Sequence, residues 1–122
     1  MQTIQIQNQS HPLSRPISAT YCETFWSRFR GLMFRTSLKP TQAILLVDKK
    51  DNRIDSAIHM LFMNFDITAV WINTQKKVVD VKLAHKGQLI IIPQQPACFV
   101  LEAHPSLFSS FQIGDLIDFS NV

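Results

Sequence analysis

A few residues in this chain have the types and spacing that could support chemistry. His59 and Met63 stand four apart in the run Ser56–Phe65. On an extended strand such a pair faces one side, so an imidazole and a thioether would share a pocket, and soft ligands of that kind suit copper(I) better than zinc. Leu61 and Phe65 share the same side, however, and a lone histidine among apolar residues is ordinarily a hydrogen-bonded member of the core. Two ligands are too few for a closed metal site. Neither a metal nor a cofactor is expected.

The second combination is His59 with Glu102 or Asp66, an acid–base pair if burial tunes their pKa values. Glu102 ends the apolar run Cys98–Glu102, where burial would shift a carboxyl. The structural alternatives are a Glu102 that faces outward, or one that pairs with Arg28 or Arg35 to tie a helix to a sheet. Cys22 and Cys98 are flanked by apolar residues, the setting of a small hydrophobe rather than of a reactive thiol. They form no C-x-x-C pair, and the sequence neither demands nor excludes a disulfide between them. Arg28, Arg30 and Arg35 fit a helix C-terminus, where cations oppose the helix dipole. They also fit an anion-binding rim beside a groove floored by Leu32, Met33 and Phe34, although those three read more simply as buried anchors.

The elements that must position these residues begin with a helix over Tyr21–Arg30. Thr20 is its expected N-cap, with Glu23 completing a capping box, and Cys22, Phe25, Trp26 and Phe29 form one apolar stripe. Gly31 stands where a left-handed cap is cheapest. Before it, Thr3–Gln7 alternates like a half-buried strand, and Asn8–Pro16 reads as loop. After it come Ala43–Val47, the polar turn Asp48–Arg53, then Ala57–Met63, Ile67–Asn73, Val78–Leu83, Leu89–Ile92, Cys98–Glu102 and Leu116–Phe119. These runs are rich in Val, Ile, Phe and Trp and read as strands. A hairpin is expected across Asn73–Lys77. Short strands at this spacing predict a mostly-β fold, an antiparallel sandwich or barrel-like domain of jelly-roll character with one short helix near 21–30.

Composition narrows the function classes. The chain has 122 residues, of which 46% are hydrophobic and 17% charged, so it reads as one globular domain over residues 1–122, loop-like in part over 1–16. Its formal charge of +3 comes from basic residues dispersed along the chain, unlike the concentrated face of a nucleic-acid module. Three glycines, Gly31, Gly87 and Gly114, are too few and too scattered for a phosphate loop, a dinucleotide fingerprint or a nucleophile elbow. The start of the chain lacks the basic-then-apolar order of a secretory signal, and no apolar run approaches the ~20 residues of a membrane span. A cytoplasmic location follows as the default expectation.

Three segments together resemble the family catalogued as domain of unknown function 192, also called uncharacterised protein family 0127. Arg28-Phe-Arg-Gly-Leu-Met-Phe-Arg35 is similar to that family's Arg-x-x-Gly-Leu-Met-x-Arg. Ser56-Ala-Ile-His-Met-Leu-Phe-Met-Asn-Phe-Asp-Ile67 looks like its Ile-His-x-x-x-Met-x-Phe-x-Ile, and Val100-Leu-Glu102 with Ile113-Gly-Asp115 is similar to its Val-Leu-Glu and Gly-Asp ending. The set spans Tyr21 to Phe119. The resemblance implies a β-sandwich of jelly-roll type, often found alone in bacteria, with no settled activity. Where that family usually has Pro-Ile-Asp this chain has Asp66, Ile67 and Thr68, and Ala103-His104-Pro105 follows Glu102 where a glycine is usual.

The function expected on these grounds is a binding or accessory module without its own catalysis. Its site would be Arg28, Arg35, His59, Met63 and Glu102, taking an unknown small ligand or a protein partner as a monomer or weak dimer and binding no nucleic acid. The alternative is a small hydrolase or isomerase using His59 with Glu102 or Asp66. A third expectation is that Phe108 and Phe111 are exposed and dock a partner through Leu107–Phe111.

Overall fold

The strands form where β-branched and apolar residues alternate, and they stop at proline, glycine or Asx turns. The computed structural model describes residues 2–121. The order is β1 (Thr3–Asn8), β2 (Ile17–Cys22), α1 (Phe25–Arg30), β3 (Gln42–Asn52), β4 (Ile67–Ile72), β5 (Val78–Ala84), β6 (Ala97–Ala103), a 3-10 helix (Pro105–Ser110) and β7 (Ile117–Asn121). All seven strands belong to one sheet in the order β5-β4-β6-β3-β2-β1-β7, antiparallel throughout except for the parallel pair β2–β3.

The sheet curls until its two edges touch. Lys77 and Leu116 form one antiparallel bridge, and Val78 N–H donates to the Asp115 carbonyl at 2.9 Å. The fold is therefore mostly β and barrel-like. Every strand contributes to one apolar cluster, which includes Ile6, Ile17, Leu45, Val70, Val78, Leu101 and Ile117; this fills the inside of the curl. Alternate residues on the central strands, Ile44, Leu46, Ile67, Trp71 and Val100, point outward and are covered by chain outside the sheet: Leu32, Leu38, Ile58, Met60, Met63 and Ile91. Two-sided burial explains why β4 reads as a continuous apolar run, since all six of its residues are buried.

Several elements differ from the sequence expectation. The helix is six residues long and is capped by Thr24, whose hydroxyl accepts from Ser27 N–H while Ser27 Oγ accepts from Thr24 N–H. The Thr20–Glu23 box does not form, because Ile17–Cys22 pairs with β1 on one side and β3 on the other. Tyr21 and Cys22 are therefore strand residues. The apolar stripe fails with it: Cys22 is buried from the strand, whereas Trp26 is 73% and Phe29 46% exposed. The Phe25 side chain lies outside the described residues.

Ala57–Met63 and Leu89–Ile92 are turns and extended chain joined by one bridge, Ile58–Ile91, rather than strands. Their apolar character comes from covering the outer face. The expected turn over Asp48–Arg53 is mostly strand, since β3 continues to Asn52 through an irregularity. The hairpin between β4 and β5 forms as expected, with the Asn73 carboxamide oxygen accepting from the backbone N–H groups of Gln75 and Lys77.

Candidate functional site

Glu102 and Val100 are two apart on β6 and so face the same, outer side. β6 sets Glu102 opposite Ile44 of β3 and Ala69 of β4. The chain leaving α1 crosses above it at Gly31, whose φ of +45° is left-handed and whose absent side chain matters. A Cβ there would lie 3.3 Å from Glu102 Oε1 and 3.3 Å from Ile44 Cδ1. Glycine thus satisfies both the backbone conformation and the close approach.

Between α1, β3, β6 and the segment 55–59 lies a cavity of about 190 Å3. Its walls are apolar, with Leu32, Leu46, Ile58, Met63 and Val100 all buried. The segment 55–59 is held to the sheet by Trp71, whose indole N–H donates to the Ser56 carbonyl at 2.7 Å. The polar groups lining the cavity are Arg28, Arg30, Asp48, Asp55, Ser56, His59 and Glu102.

Glu102 is 4% exposed, and burial pushes its carboxyl pKa up to about 8. No side-chain hydrogen bond or ion pair to it exists among the described residues. The expected pairing with Arg28 or Arg35 is not made. Arg28 instead lies 3.0 Å from Asp48, Nη1 to Oδ2. That contact is an ion pair without hydrogen-bond alignment, since Asp48 Oδ2 and Arg28 Nε are both buried without a hydrogen bond.

His59 is held from both sides of its ring. Leu61 N–H donates to Nδ1 at 3.2 Å, which leaves the proton on Nε2, and Nε2 donates to the Phe29 carbonyl at 3.0 Å. Its ring also packs against Phe29, centroid to centroid 5.0 Å. With both nitrogens engaged by backbone, the imidazole serves to fasten the end of α1 to the covering loop. Phe29, which lines the cavity, in turn meets Trp26 edge-on at 6.2 Å.

The structure therefore brings Arg28, His59, Met63 and Glu102 to one cavity and leaves out two of the residues considered with them. Arg35 is exposed and does not line it. Asp66 lies elsewhere, accepting from Lys86 N–H at 2.9 Å and meeting His85 Nδ1 at 3.1 Å, and these bonds lower its pKa. Of the three expected anchors Leu32 is buried at 1% exposed, Met33 is half-buried, and Phe34 at 64% exposed is not an anchor. Gly31 was expected as the helix cap and takes that place, but its close approach to Glu102 was not expected, nor was Asp48 in the cavity lining. Asp48 carried one signal, an acid directly after an apolar run that is buried on both faces.

Both cysteines are free and buried. Burial pushes Cys98 up to about 11, and burial with the nearby Glu102 charge raises Cys22, so neither thiol is activated. Among the described residues no group of three or more His, Cys, Asp and Glu is placed to hold a metal ion. A wider hollow of about 550 Å3 runs between residues 11–15, 39–41 and 107–112. It has no buried ionisable side chain in its lining. Phe108 is 44% exposed near it, but Phe111 is 3% exposed and belongs to the inner core, so the expected pair of docking phenylalanines is not presented.

The model of the DUF192 family, described as uncharacterised, matches residues 4–119. A UPF0127 protein of Thermococcus gammatolerans is 36% identical over 97 residues, covering 78% of this chain and 61% of that one. One from Thermococcus kodakarensis is 34% identical, covering 80% and 62%, and one from Pyrococcus furiosus is 30% identical, covering 87% and 90%. This chain spans about three-fifths of the length of the two Thermococcus relatives. The sequence relatives are archaeal, which overturns the expectation of a bacterial protein.

Two crystal structures share the fold. One, from Sinorhizobium meliloti and named as a candidate transcription regulator, superposes with a TM-score of 0.82 at 16% identity, covering 97% of this chain and 92% of that one. The other, a protein of unknown function from Novosphingobium aromaticivorans, has a TM-score of 0.77 at 15% identity, covering 95% and 83%. At such identities the likeness concerns the fold alone. No helix among the described residues is long and apolar enough to cross a membrane.

Proposed function

This chain belongs to the DUF192 family, and from that premise, which brings no activity with it, we propose that it is a binding or accessory module whose site is the cavity beneath α1. The observation that carries this reading is the unpartnered, buried carboxyl of Glu102 in the lining of an apolar-walled cavity. A buried polar group without a partner costs folding free energy, on the order of 1–3 kcal/mol. A bound molecule that supplied the missing partner would recover it. The size fits a small organic ligand, since a cavity of about 150 Å3 accommodates benzene. Arg28, His59, Met63 and Glu102 contribute to the site, and Arg35 stands outside it. The protein works as a monomer or weak dimer, and its two free cysteines fit a reducing compartment such as the cytoplasm.

The rival reading, a hydrolase or isomerase, draws support from one feature: a carboxyl titrating near pH 8 is suited to general acid–base work. It is weakened by His59, whose two ring nitrogens are already engaged, and by Asp66, which is remote from the cavity.

Fragment screening by 1H–15N NMR tests the proposal. Binders are expected to shift the amides of Arg28–Leu32, Ala57–His59 and Glu102 together. If hits gather at the hollow near His11 and Gln112, or if none moves the cavity amides, the proposal fails.

A further inference from the structure

Five large apolar side chains of α1 and the covering segments, Trp26, Phe29, Phe34, Leu61 and Phe62, are between 36% and 73% exposed. Contacts join them into one patch. Trp26 meets Phe29, Phe29 packs on the His59 ring, and Leu61 N–H donates to that ring. Phe62 follows Leu61; its ring stacks on Phe34 at 5.2 Å, and its carbonyl accepts from Phe34 N–H at 3.0 Å. At about 200 Å2 per aromatic side chain, the four rings leave roughly 500 Å2 in water. That is the size of the largest patch on an ordinary monomer, and such a patch is commonly functional. Phe34 and Phe62 add a second observation. Both hold left-handed backbone, with φ of 65° and 60°, which glycine or asparagine adopts readily and a bulky side chain rarely does. The fold thus carries strain at two touching positions and sets a ring in water at each. Neither backbone nor core accounts for phenylalanine there, and strain of this kind collects at binding surfaces.

The charge around the patch is one-sided. Residues 24–47 and 56–65 contain no acid, whereas Arg28, Arg30, Arg35 and Lys39 lie in the first of these stretches. Arg28 is taken by Asp48, but Arg30 and Arg35 are exposed and form no ion pair among the described residues. A two-fold dimer through this patch would set it on its own copy, arginine against arginine, which counts against a second chain as the occupant. Exposed aromatic rings and a leucine flanked by arginines match the boundary of an anionic bilayer, where rings enter the interface and guanidinium groups stay among the headgroups. A bilayer also receives such side chains without a shaped pocket, which a protein partner would have to supply. We propose that the patch formed by Trp26, Phe29, Phe34, Leu61 and Phe62 seats this protein on an anionic lipid surface, with Arg30 and Arg35 facing the headgroups. This goes beyond the cavity reading and stands or falls separately from it.

The test is sedimentation of the full chain with vesicles of phosphatidylcholine and phosphatidylglycerol in equal parts, read together with tryptophan fluorescence. The chain has two tryptophans, and Trp71 is wholly buried, so a blue shift, and quenching by lipids brominated on their acyl chains, report on Trp26. Both are expected, with binding at least about tenfold weaker on phosphatidylcholine alone or in about 0.5 M salt. Arg30→Gln with Arg35→Gln should weaken binding about tenfold or more. Phe34→Gly with Phe62→Gly, which relieves the left-handed strain, should keep the thermal transition and weaken binding at least about tenfold. No binding to the anionic vesicles overturns the proposal, and so does binding without quenching, which is adsorption by charge alone. Release of the protein by soluble glycerol phosphate would assign the arginines to a free phosphate instead. A folded double-glycine variant that binds vesicles as tightly would move the contact to another face. Self-association in place of vesicle binding, lost in that variant, would make a second copy the occupant. Should the variant fail to fold, quenching in the unmodified chain decides alone.

Discussion

Two buried carboxyl groups in this molecule, Asp115 and Glu102, are almost equally hidden, 3% and 4% exposed, yet they behave in opposite ways. Asp115 sits at the end of the barrel where the edges meet. Asn8 Nδ2 donates to its Oδ2 at 2.7 Å, Gln112 N–H to the same oxygen at 2.9 Å, and His11 Nδ1 lies 2.8 Å from Oδ1. Burial alone would raise its pKa, but these bonds outweigh burial and the net shift is downward. Glu102, on the outer face, has burial as its dominant influence and moves up to about 8. The difference is one of partners rather than depth. An acid whose two oxygens both have partners is part of the framework, and one left open is available to something else.

Removing the framework acid should give the largest effect. Asp115→Ala leaves the buried Asn8 amide and the Gln112 N–H without their acceptor, and it should cost about 3–5 kcal/mol in urea unfolding at pH 7. A loss below about 1 kcal/mol would erase the contrast. The pH dependence sharpens it. Unfolded, Glu102 loses its proton near its ordinary value of 4.5, whereas folded it keeps the proton to about 8. Between those values the native state binds the extra proton, so raising the pH through that window favours unfolding. The expected loss is about 2–3 kcal/mol from pH 5.5 to 8, and Glu102→Gln should flatten it. Asp115 has the opposite sign: its stabilisation is present above the ordinary carboxylate range and is lost as pH falls through its lowered pKa. The smallest effect concerns Gly31. Gly31→Ala forces a side chain into a left-handed conformation and against Glu102 Oε1, for about 1–2 kcal/mol, read as a lowered thermal midpoint.

Most of the sheet was legible in the sequence because its signal is local. Ile67–Ile72, Val78–Ala84 and Ala97–Ala103 are runs whose burial and β-branching point the same way. The helix start was not, because two capping boxes overlap in Thr20–Ser27, and which one forms depends on the distant β3 offering a parallel partner to Ile17–Cys22. Likewise the apolar residues of 57–63 and 89–92 were visible but their role was not. A segment laid over a sheet and a strand within it bury the same side chains. For the site, types and order sufficed to group Arg28, His59, Met63 and Glu102. They could not reveal that Arg28 takes Asp48 instead of Glu102, since pairing depends on which face of β3 is turned toward α1.

The pairing of β1 with β7 has a consequence for synthesis. Thr3–Asn8 leaves the ribosome about a hundred residues before Ile117–Asn121, the neighbour that satisfies one of its edges. Until that last strand arrives, the nascent chain displays an unpaired strand with Ile4 and Ile6 uncovered, the kind of edge that recruits other chains. The arrival of β7 thus decides whether the sheet closes on itself or is intercepted while still being made.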